Sequence, residues 1–396
     1  MSGTIPFYLH DLGMSEVSAF EEALKDPILT TGEAVARFEQ RFAQTLGRRN
    51  AIAVTSCTGA LHLSLIALGI GRCDEVITTP MTFIATSTAI VEAGATPVFV
   101  DVEPDTGNID VSRVEAAISS RTRAIIPVHL YGQMSDMRAL REIADRRGLR
   151  IIEDAAHCVE GRRDGVGPGE LGDSACFSFY ATKSLTCGEG GAIVTDDDAL
   201  AAKLRLLRSH GMNKAAADRQ REGYRHWDMT ELGWKYNMDN LHAAILLPQL
   251  DRLAANWQRR CELAADYERR LAGLPHLWWP RTLPRVQHAR HLFPIWVGQG
   301  RRDAVIAGLQ SRGIGVMVNY RAIHLLSYFR TVLGTVPGMF PVAERIGDAT
   351  ISLPLYPRLT HDQVRIVAGG IAEVVRTVYA EAVPASAPAT MATIGD

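Results

Sequence analysis

The sequence predicts an α/β protein. A large domain is built on a mainly parallel, seven-stranded sheet sandwiched by helices, and a small C-terminal α+β domain follows. Three observations predict this. Short apolar, β-branched runs alternate with helically spaced segments from residue 51 to residue 195, the pattern of strands joined by crossover helices. Seven such runs occur, at 51–54, 75–79, 96–102, 123–129, 150–154, 175–179 and 191–195. From about residue 275 strand and helix patterns mix on a smaller scale.

Taken in order, residues 1–14 read as an arm. Helical spacing appears at 16–24 and again at 32–46. Thr30-Thr31-Gly32 breaks the chain between them; Thr31 is placed to cap the second helix, and the segment is expected near the active site. AIAV at 51–54 passes through the small, polar stretch TSCTGA into an apolar helix at 61–68. Helices follow at 86–93 and at 137–147, the latter closed by Gly148. RIIED, ACFSF and GAIVT complete the sheet, and 199–210 is helical. Residues 212–234 are polar and contain Arg219, Arg221 and Arg225. They read either as a solvated loop or as a reach to a neighbouring subunit and a substrate diphosphate. Trp234 opens a long helical stretch to about 271. In the small domain HLFPIWV (291–297) and GVMVN (315–319) read as strands and 302–312 as a helix. Residues 341–346, SLPLYP and a helix at 361–379 complete it. The tail after 380 is rich in Ala, Pro, Ser and Thr and is expected to be disordered. The expected division is an arm at 1–14, a large domain with an interface helix at 15–272, a small domain at 273–380 and a tail at 381–396.

Composition excludes several functions. The 396 residues suit two or three structural domains, and 47% hydrophobic residues suit a large core. A net charge of −2 gives no bulk electrostatic case for nucleic acid or an anionic membrane. No apolar run approaches the roughly 20 residues of a membrane helix. The start, MSGTIPFYLHDLG, lacks a basic region followed by an apolar core, so no secretion signal is expected. Cys57, Cys73, Cys158, Cys176, Cys187 and Cys261 show no metal-site spacing, and reduced thiols in a cytoplasmic protein with no metal are expected.

The chemistry centres on residues 177–195, which read strand, polar turn, strand. Phe177 and Phe179 flank Ser178 in strand alternation, and Gly191 opens the second strand. Lys183 sits in the turn. It either snorkels to water from a surface loop, or lies in a cleft with its pKa lowered so that the neutral amine attacks a carbonyl. Asp154 ends the strand RIIED, where an open α/β sheet builds its ligand crevice; it reads equally as a helix cap. Together the two are what a pyridoxal phosphate site needs. The lysine carries the cofactor as a Schiff base, and the carboxylate keeps the pyridine nitrogen protonated so that the ring takes up electrons. Thr58 and Gly59 lie where a strand turns into a helix, a setting that suits a phosphate and also an ordinary capped start. Gly167, Gly169 and Gly172 match a dinucleotide-binding pattern, but a charged loop precedes them and a strand follows, so they read as a turn and do not support hydride transfer.

EDAAH and SFYATKSLTCGEGG, with TTGEAVARFEQRFA, TSCTGALHLSL, DEVITTPMTFIAT, GATPVFVDV, KYNMDNLHAAI and ISLPLYPRLT, resemble the sugar aminotransferases of the DegT/DnrJ/EryC1/StrS group. These are pyridoxal-phosphate enzymes of the aspartate-aminotransferase fold. The resemblance runs in order over residues 28–375. Residues 313–329 look most like the subgroup that aminates carbon 4 of nucleotide-linked 4-keto sugars, such as the UDP-4-amino-4-deoxy-L-arabinose aminotransferases.

The resemblance implies roles for further residues. Thr58, Gly59 and Ser178 would hold the cofactor phosphate. Phe83 would stack on the pyridine ring, with core packing as its alternative, and His157 would lie beside the ring oxygen, with a satisfied buried histidine as its alternative. Asn237 would cross to the partner's cofactor phosphate in a homodimer with shared active sites. Tyr320 and His324 are candidates for substrate contacts, with core packing as their alternative. L-Glutamate would give its amino group and leave as 2-oxoglutarate, and a nucleotide-linked keto sugar would receive it. Two rivals share the fold. A sugar dehydratase would carry histidine in place of Lys183, and a non-catalytic regulator would have lost cofactor ligands such as Asp154, Ser178 and Lys183.

Overall fold

The computed structural model describes residues 4–213, 226–298 and 300–380. The expectations for Arg219, Arg221, Arg225 and the tail at 381–396 lie outside the described residues. The sheet is seven-stranded, as expected. Its strands are β1 (Asn50–Val54), β2 (Glu75–Thr78), β3 (Thr96–Phe99), β4 (Thr122–Ile125), β5 (Arg150–Asp154), β6 (Ser174–Ser178) and β7 (Gly191–Thr195), in the order β1-β7-β6-β5-β4-β2-β3. Strands β6, β5, β4, β2 and β3 pair in parallel, and β7 runs antiparallel to both β1 and β6.

Alternation along β6 distributes its side chains between two layers. Phe177 joins Phe179, just beyond the strand, against Phe38 and Phe42 of α2 (Glu33–Leu46), with Phe42 and Phe177 edge to face at 5.1 Å between centroids. Cys176 faces the other way, into a cluster with Leu61 and Leu65 of α3 (Cys57–Ala67). Ser178, two residues on, shares that side. Helix α4 (Ala85–Glu92) packs beside α3, and α5 (Met137–Arg147) covers Ile77, Ile125 and Ile151. Helix α6 (Asp198–Leu207) closes the α3 side, and α7 (Asn240–Leu271) runs from the large sheet into the small-domain core through Leu263 and Tyr267.

The small domain pairs β8 (Leu277–Trp278), β9 (Phe293–Val297) and β10 (Thr350–Leu353) antiparallel, with β9 in the middle. Helices α8 (Arg302–Gln310), α9 (Pro341–Ala349) and α10 (His361–Ala380) pack around it. Ile5 is buried in this core, and its N–H donates to Gly313 O at 2.8 Å. Among the described residues no helix is long and apolar enough to cross a membrane, and no group of three or more His, Cys, Asp or Glu could hold a metal ion.

Four sequence expectations are corrected. GVMVN is not a strand: Met317 alone bridges to Ser352, while the N–H of Gly315 goes to Ile5 O at 2.8 Å, so two partners divide the run. Trp234–Asp239 is extended rather than helical, since Lys235 bridges to Ser209 and Asn237 to Val54; α7 starts only where Asp239 caps it. Helix α3 starts earlier than expected because Ser56 Oγ accepts the Gly59 N–H at 3.0 Å, which places Thr58 and Gly59 in its first turn. Thr31 does not cap α2. Asn240 Oδ1, at the start of α7, accepts from Gly32 N at 3.1 Å and Val35 N at 3.2 Å, and Thr31 donates instead to Met238 O.

Asn240 is fully buried, and its Nδ2 also donates to Ile28 O at 2.7 Å. Asn240→Ala would leave those groups without partners and would lower stability by about 1–3 kcal/mol. Urea unfolding of the variant and the parent checks this, with an unchanged midpoint as the contrary outcome.

Candidate active site

Three chain ends meet at one edge of the sheet. The carboxyl end of β5 delivers Asp154. The parallel strand β6 ends beside it at Ser178 and continues into the turn carrying Lys183. Helix α3 points its N-terminus at the same place, because Gly191, paired with Ser178, lies against the Ser56–Cys57 backbone. A Cβ at Gly191 would fall 2.6 Å from Cys57 N, so the approach of β7 to the helix end requires glycine.

Asp154 is buried. Its Oδ2 accepts the Thr86 hydroxyl at 2.7 Å and its Oδ1 accepts the Ala156 N–H at 3.2 Å. Lys183 is partly buried, with its backbone N–H on Tyr180 O at 2.9 Å. Desolvation pulls its amine from the ordinary 10.5 down to about 8, while Cys57 and Asp154 act in the opposite sense. Lys183 also helps to hold His157 and His291 well below the usual imidazole range, with burial the larger cause for both.

His157 Nδ1 accepts from the Tyr131 N–H at 3.3 Å. The neutral ring therefore carries its hydrogen on Nε2, which donates to Tyr320 Oη at 3.1 Å. Burial pushes the Tyr320 phenol up, so it stays protonated, and its own hydrogen is left to point elsewhere. Tyr131 reaches this position in the left-handed region, at φ 59°, which no sequence pattern announces. Phe83 is 54% exposed, with its ring 5.7 Å from that of Tyr320.

Ser178 Oγ accepts from Tyr180 N at 3.3 Å, and Thr58 is partly buried in the first turn of α3. Lys183, Asp154, His157, Ser178, Thr58, Gly59, Phe83 and Tyr320 are thus gathered at one cleft. Asn237 is tied to other residues: it bridges to Val54, its Nδ2 donates to Thr31 Oγ1 at 2.8 Å and its Oδ1 accepts from Lys235 Nζ at 2.6 Å. The structure does not bring His324 there. Its ring is fully buried beside Phe340, and Nε2 meets Glu344 Oε1 at 2.9 Å, which is the packing alternative. The reading missed Thr86, Gly191 and Tyr131. Gly191 could have been found, since Gly-Glu-Gly-Gly opens a strand that needs no other glycine. The discarded glycine pattern has a structural use: Gly169 and Gly172 donate their N–H groups to Glu153 Oε1, each at 3.0 Å.

These residues fit pyridoxal phosphate. A lysine with a depressed pKa suits an aldehyde, and a buried carboxylate with fixed donors suits a protonated ring nitrogen. An exposed aromatic face suits the ring. A helix N-terminus beside Ser178, with the hydroxyl of Thr58 in its first turn, suits a phosphate.

Comparison with known proteins agrees. The model of the DegT/DnrJ/EryC1/StrS aminotransferase family matches residues 10–372. The chain is 40% identical over 378 residues to the spore coat polysaccharide biosynthesis protein SpsC of Bacillus subtilis, covering 94% of this chain and 97% of SpsC. It is similar to the PLP-form of the sugar aminotransferase Spr1654 from Streptococcus pneumoniae, at 28% identity and a TM-score of 0.89, over 95% of this chain and 99% of that one. It is also similar to DesI, solved in the presence of its TDP-sugar product, at 31% identity and a TM-score of 0.86, over 96% and 95% of the two chains. With its fold, its lysine–aspartate cleft and a family match over nearly its whole length, the chain belongs to the DegT/DnrJ/EryC1/StrS family of pyridoxal-phosphate-dependent sugar aminotransferases.

Proposed function

We propose that this aminotransferase moves an amino group from L-glutamate to carbon 4 of a nucleotide-linked keto sugar, with Lys183 and Asp154 as its catalytic residues, in a homodimer. The reading rests first on one observation: β6 ends beside Asp154 and runs into the turn carrying Lys183, and Thr86 fixes the Asp154 carboxylate there. The TDP-sugar product of DesI and the polysaccharide pathway of SpsC support a nucleotide-sugar acceptor. The resemblance of residues 313–329 to carbon-4 aminotransferases supports the position. Bound pyridoxal phosphate supplies a conjugated ring that accepts an electron pair.

The protein supplies the rest. Lys183 Nζ would hold the cofactor through its carbonyl carbon and, once free, would take the proton from the donor's α-carbon and later return one to the sugar carbon that receives the amino group. Asp154 would keep the ring nitrogen protonated, and Phe83 would cover the ring. The N-terminus of α3, Thr58, Gly59 and Ser178 would hold the phosphate, and Asn237 would reach the partner's phosphate in the homodimer. Tyr320, positioned by neutral His157, offers its O–H to the bound ligand.

Three outcomes follow. Lys183→Ala lowers turnover by at least about a hundredfold and leaves the melting temperature of the apoprotein close to the parent's; retained activity removes the assignment. The amine is protonated below about 8 and neutral above it, so uptake of pyridoxal phosphate by the apoprotein, followed by absorbance, accelerates up to about pH 8 and then levels off. A rate still climbing at pH 10 marks an ordinary, exposed lysine. The visible band of the holoenzyme bleaches on L-glutamate and returns with 2-oxoglutarate; a band indifferent to glutamate means another donor. A bleached band restored by a nucleotide-linked 4-keto sugar, but not by its 3-keto isomer, identifies the acceptor and carbon 4.

A further inference from the structure

Thr82, Thr86 and Asp154 form a chain of hydroxyls that ends on a carboxylate. Thr86 Oγ1 lies 2.7 Å from Asp154 Oδ2, and Thr82 Oγ1 lies 2.8 Å from Thr86 Oγ1. The two threonines are 1% and 0% exposed. Chemistry sets the direction of the chain. An ionised carboxylate only accepts, so Thr86 donates to it, and the Thr86 oxygen then accepts from Thr82. Both O–H dipoles point at Oδ2, and in a dry setting they reinforce one another. Four residues apart at the entry to α4, the threonines share one side of the turn. Phe83 lies between them in sequence and stays exposed to the cleft. One short segment therefore fixes the carboxylate and presents an aromatic face. Packing alone would be served by valine, which has the same shape as threonine and no hydroxyl to satisfy.

We propose that Thr86, backed by Thr82, is a positioning residue that hydrogen-bonds the Asp154 carboxylate and aligns it on the ring nitrogen of pyridoxal phosphate. The inference rests on the reading of Asp154 as the ring's partner. A donor on Oδ2 stabilises the anion, so the proton shared between carboxylate and ring nitrogen stays on the nitrogen. Without that donor the carboxylate's charge loses a hydrogen bond and its side chain loses a fixed orientation. The shared proton then moves towards Asp154, with no net proton gained or lost, and the ring loses positive charge and its pull on electrons.

The test is a pH titration of the visible band of the holoenzyme, which reports the proton on the nitrogen joining Lys183 to the cofactor. A ring that has lost positive charge holds that proton more tightly. Thr86→Val should raise the titration midpoint by about one pH unit and lower kcat about tenfold or more. Thr86→Ser, which keeps the hydroxyl, should restore both, and Thr82→Val should shift the midpoint the same way by less. Cys57, His157 and His291, which act electrostatically on Lys183, are unchanged in every threonine variant, as are Tyr8, Asp11, Arg260 and Tyr356, which line a pocket with it. A Thr86→Val midpoint equal to the parent's would make the threonine a packing residue, whatever happens to its stability. If Thr86→Val does not fold, Thr82→Val and Thr86→Ser carry the comparison, and an unmoved midpoint in Thr82→Val together with a shifted one in Thr86→Ser overturns the proposal. Asp154→Asn should move the midpoint further than either threonine variant. If it does not, the reading of Asp154 itself has failed, an outcome distinct from failure of the threonine chain.

Discussion

The buried carboxylate at the end of β5 is the constraint on which the site depends. Taking an ionised carboxylate out of water costs several kcal/mol unless donors replace the lost hydration. Asp154 is anchored through its backbone, with its N–H on Pro127 O at 2.9 Å and its carbonyl taking the His129 N–H at 3.0 Å. Its neighbour shows what full satisfaction looks like. Glu153 faces the opposite side and receives His129 Nε2 at 2.8 Å and two loop amides at 3.0 Å. Glu153 spends its acceptor capacity inside the protein. Among the described residues the Asp154 carboxylate takes only the Thr86 hydroxyl and Ala156 N–H, which leaves lone pairs for a ligand. Adjacent positions on one strand thus carry a structural acid and a functional one, and strand alternation separates them.

The lysine depends on the same burial. An opposite charge nearby favours the ammonium form, and desolvation favours the neutral amine. Here desolvation is the larger effect, and the pKa settles at about 8 rather than above 10.5. The turn achieves this by beginning and ending in the sheet. Phe179, beside Phe38 and Phe42, anchors its start, and the N–H of Phe179 donates to Gly190 O at 2.8 Å at its far end. A looser turn would let Lys183 reach water and regain an ordinary pKa. The aromatic packing of β6 therefore bears on chemistry although no ring in that cluster touches the cleft.

Much of this was legible in the sequence, and particular residues show where legibility stopped. Phe177, Ser178 and Phe179 announce a strand by alternation, and Asp154 and Lys183 declare themselves because each stands at a strand end, a local feature. The cap of α2 was not legible. Asn240 Oδ1 and Gly32 N are 208 positions apart, and a local rule chose Thr31 instead. GVMVN has the composition of a strand, but composition does not reveal that the N-terminal segment competes for its backbone. His324 sits in the stretch that carries the subgroup resemblance, yet its partner Glu344 comes from α9, and the pair is folded into the small domain. Thr86 hid in the open, since a threonine after an aromatic run reads as an ordinary helix start until its distance to Asp154 is known.

The two domains contribute different chemistry to the cleft. Lys183, Asp154, His157, Ser178, Thr58 and Phe83 all stand on the large sheet or the helices behind it, where register and packing fix them to one another. Tyr320 comes from the loop that follows Ile314, and it joins the site through its bond to His157 at 3.1 Å. Because His157 donates through Nε2, the Tyr320 hydroxyl keeps its own hydrogen free to donate. Sheet register and helix packing fix the first group of residues to one another, whereas Tyr320 is tied to them from the small domain through this one hydrogen bond and its ring contacts with His157 and Phe83.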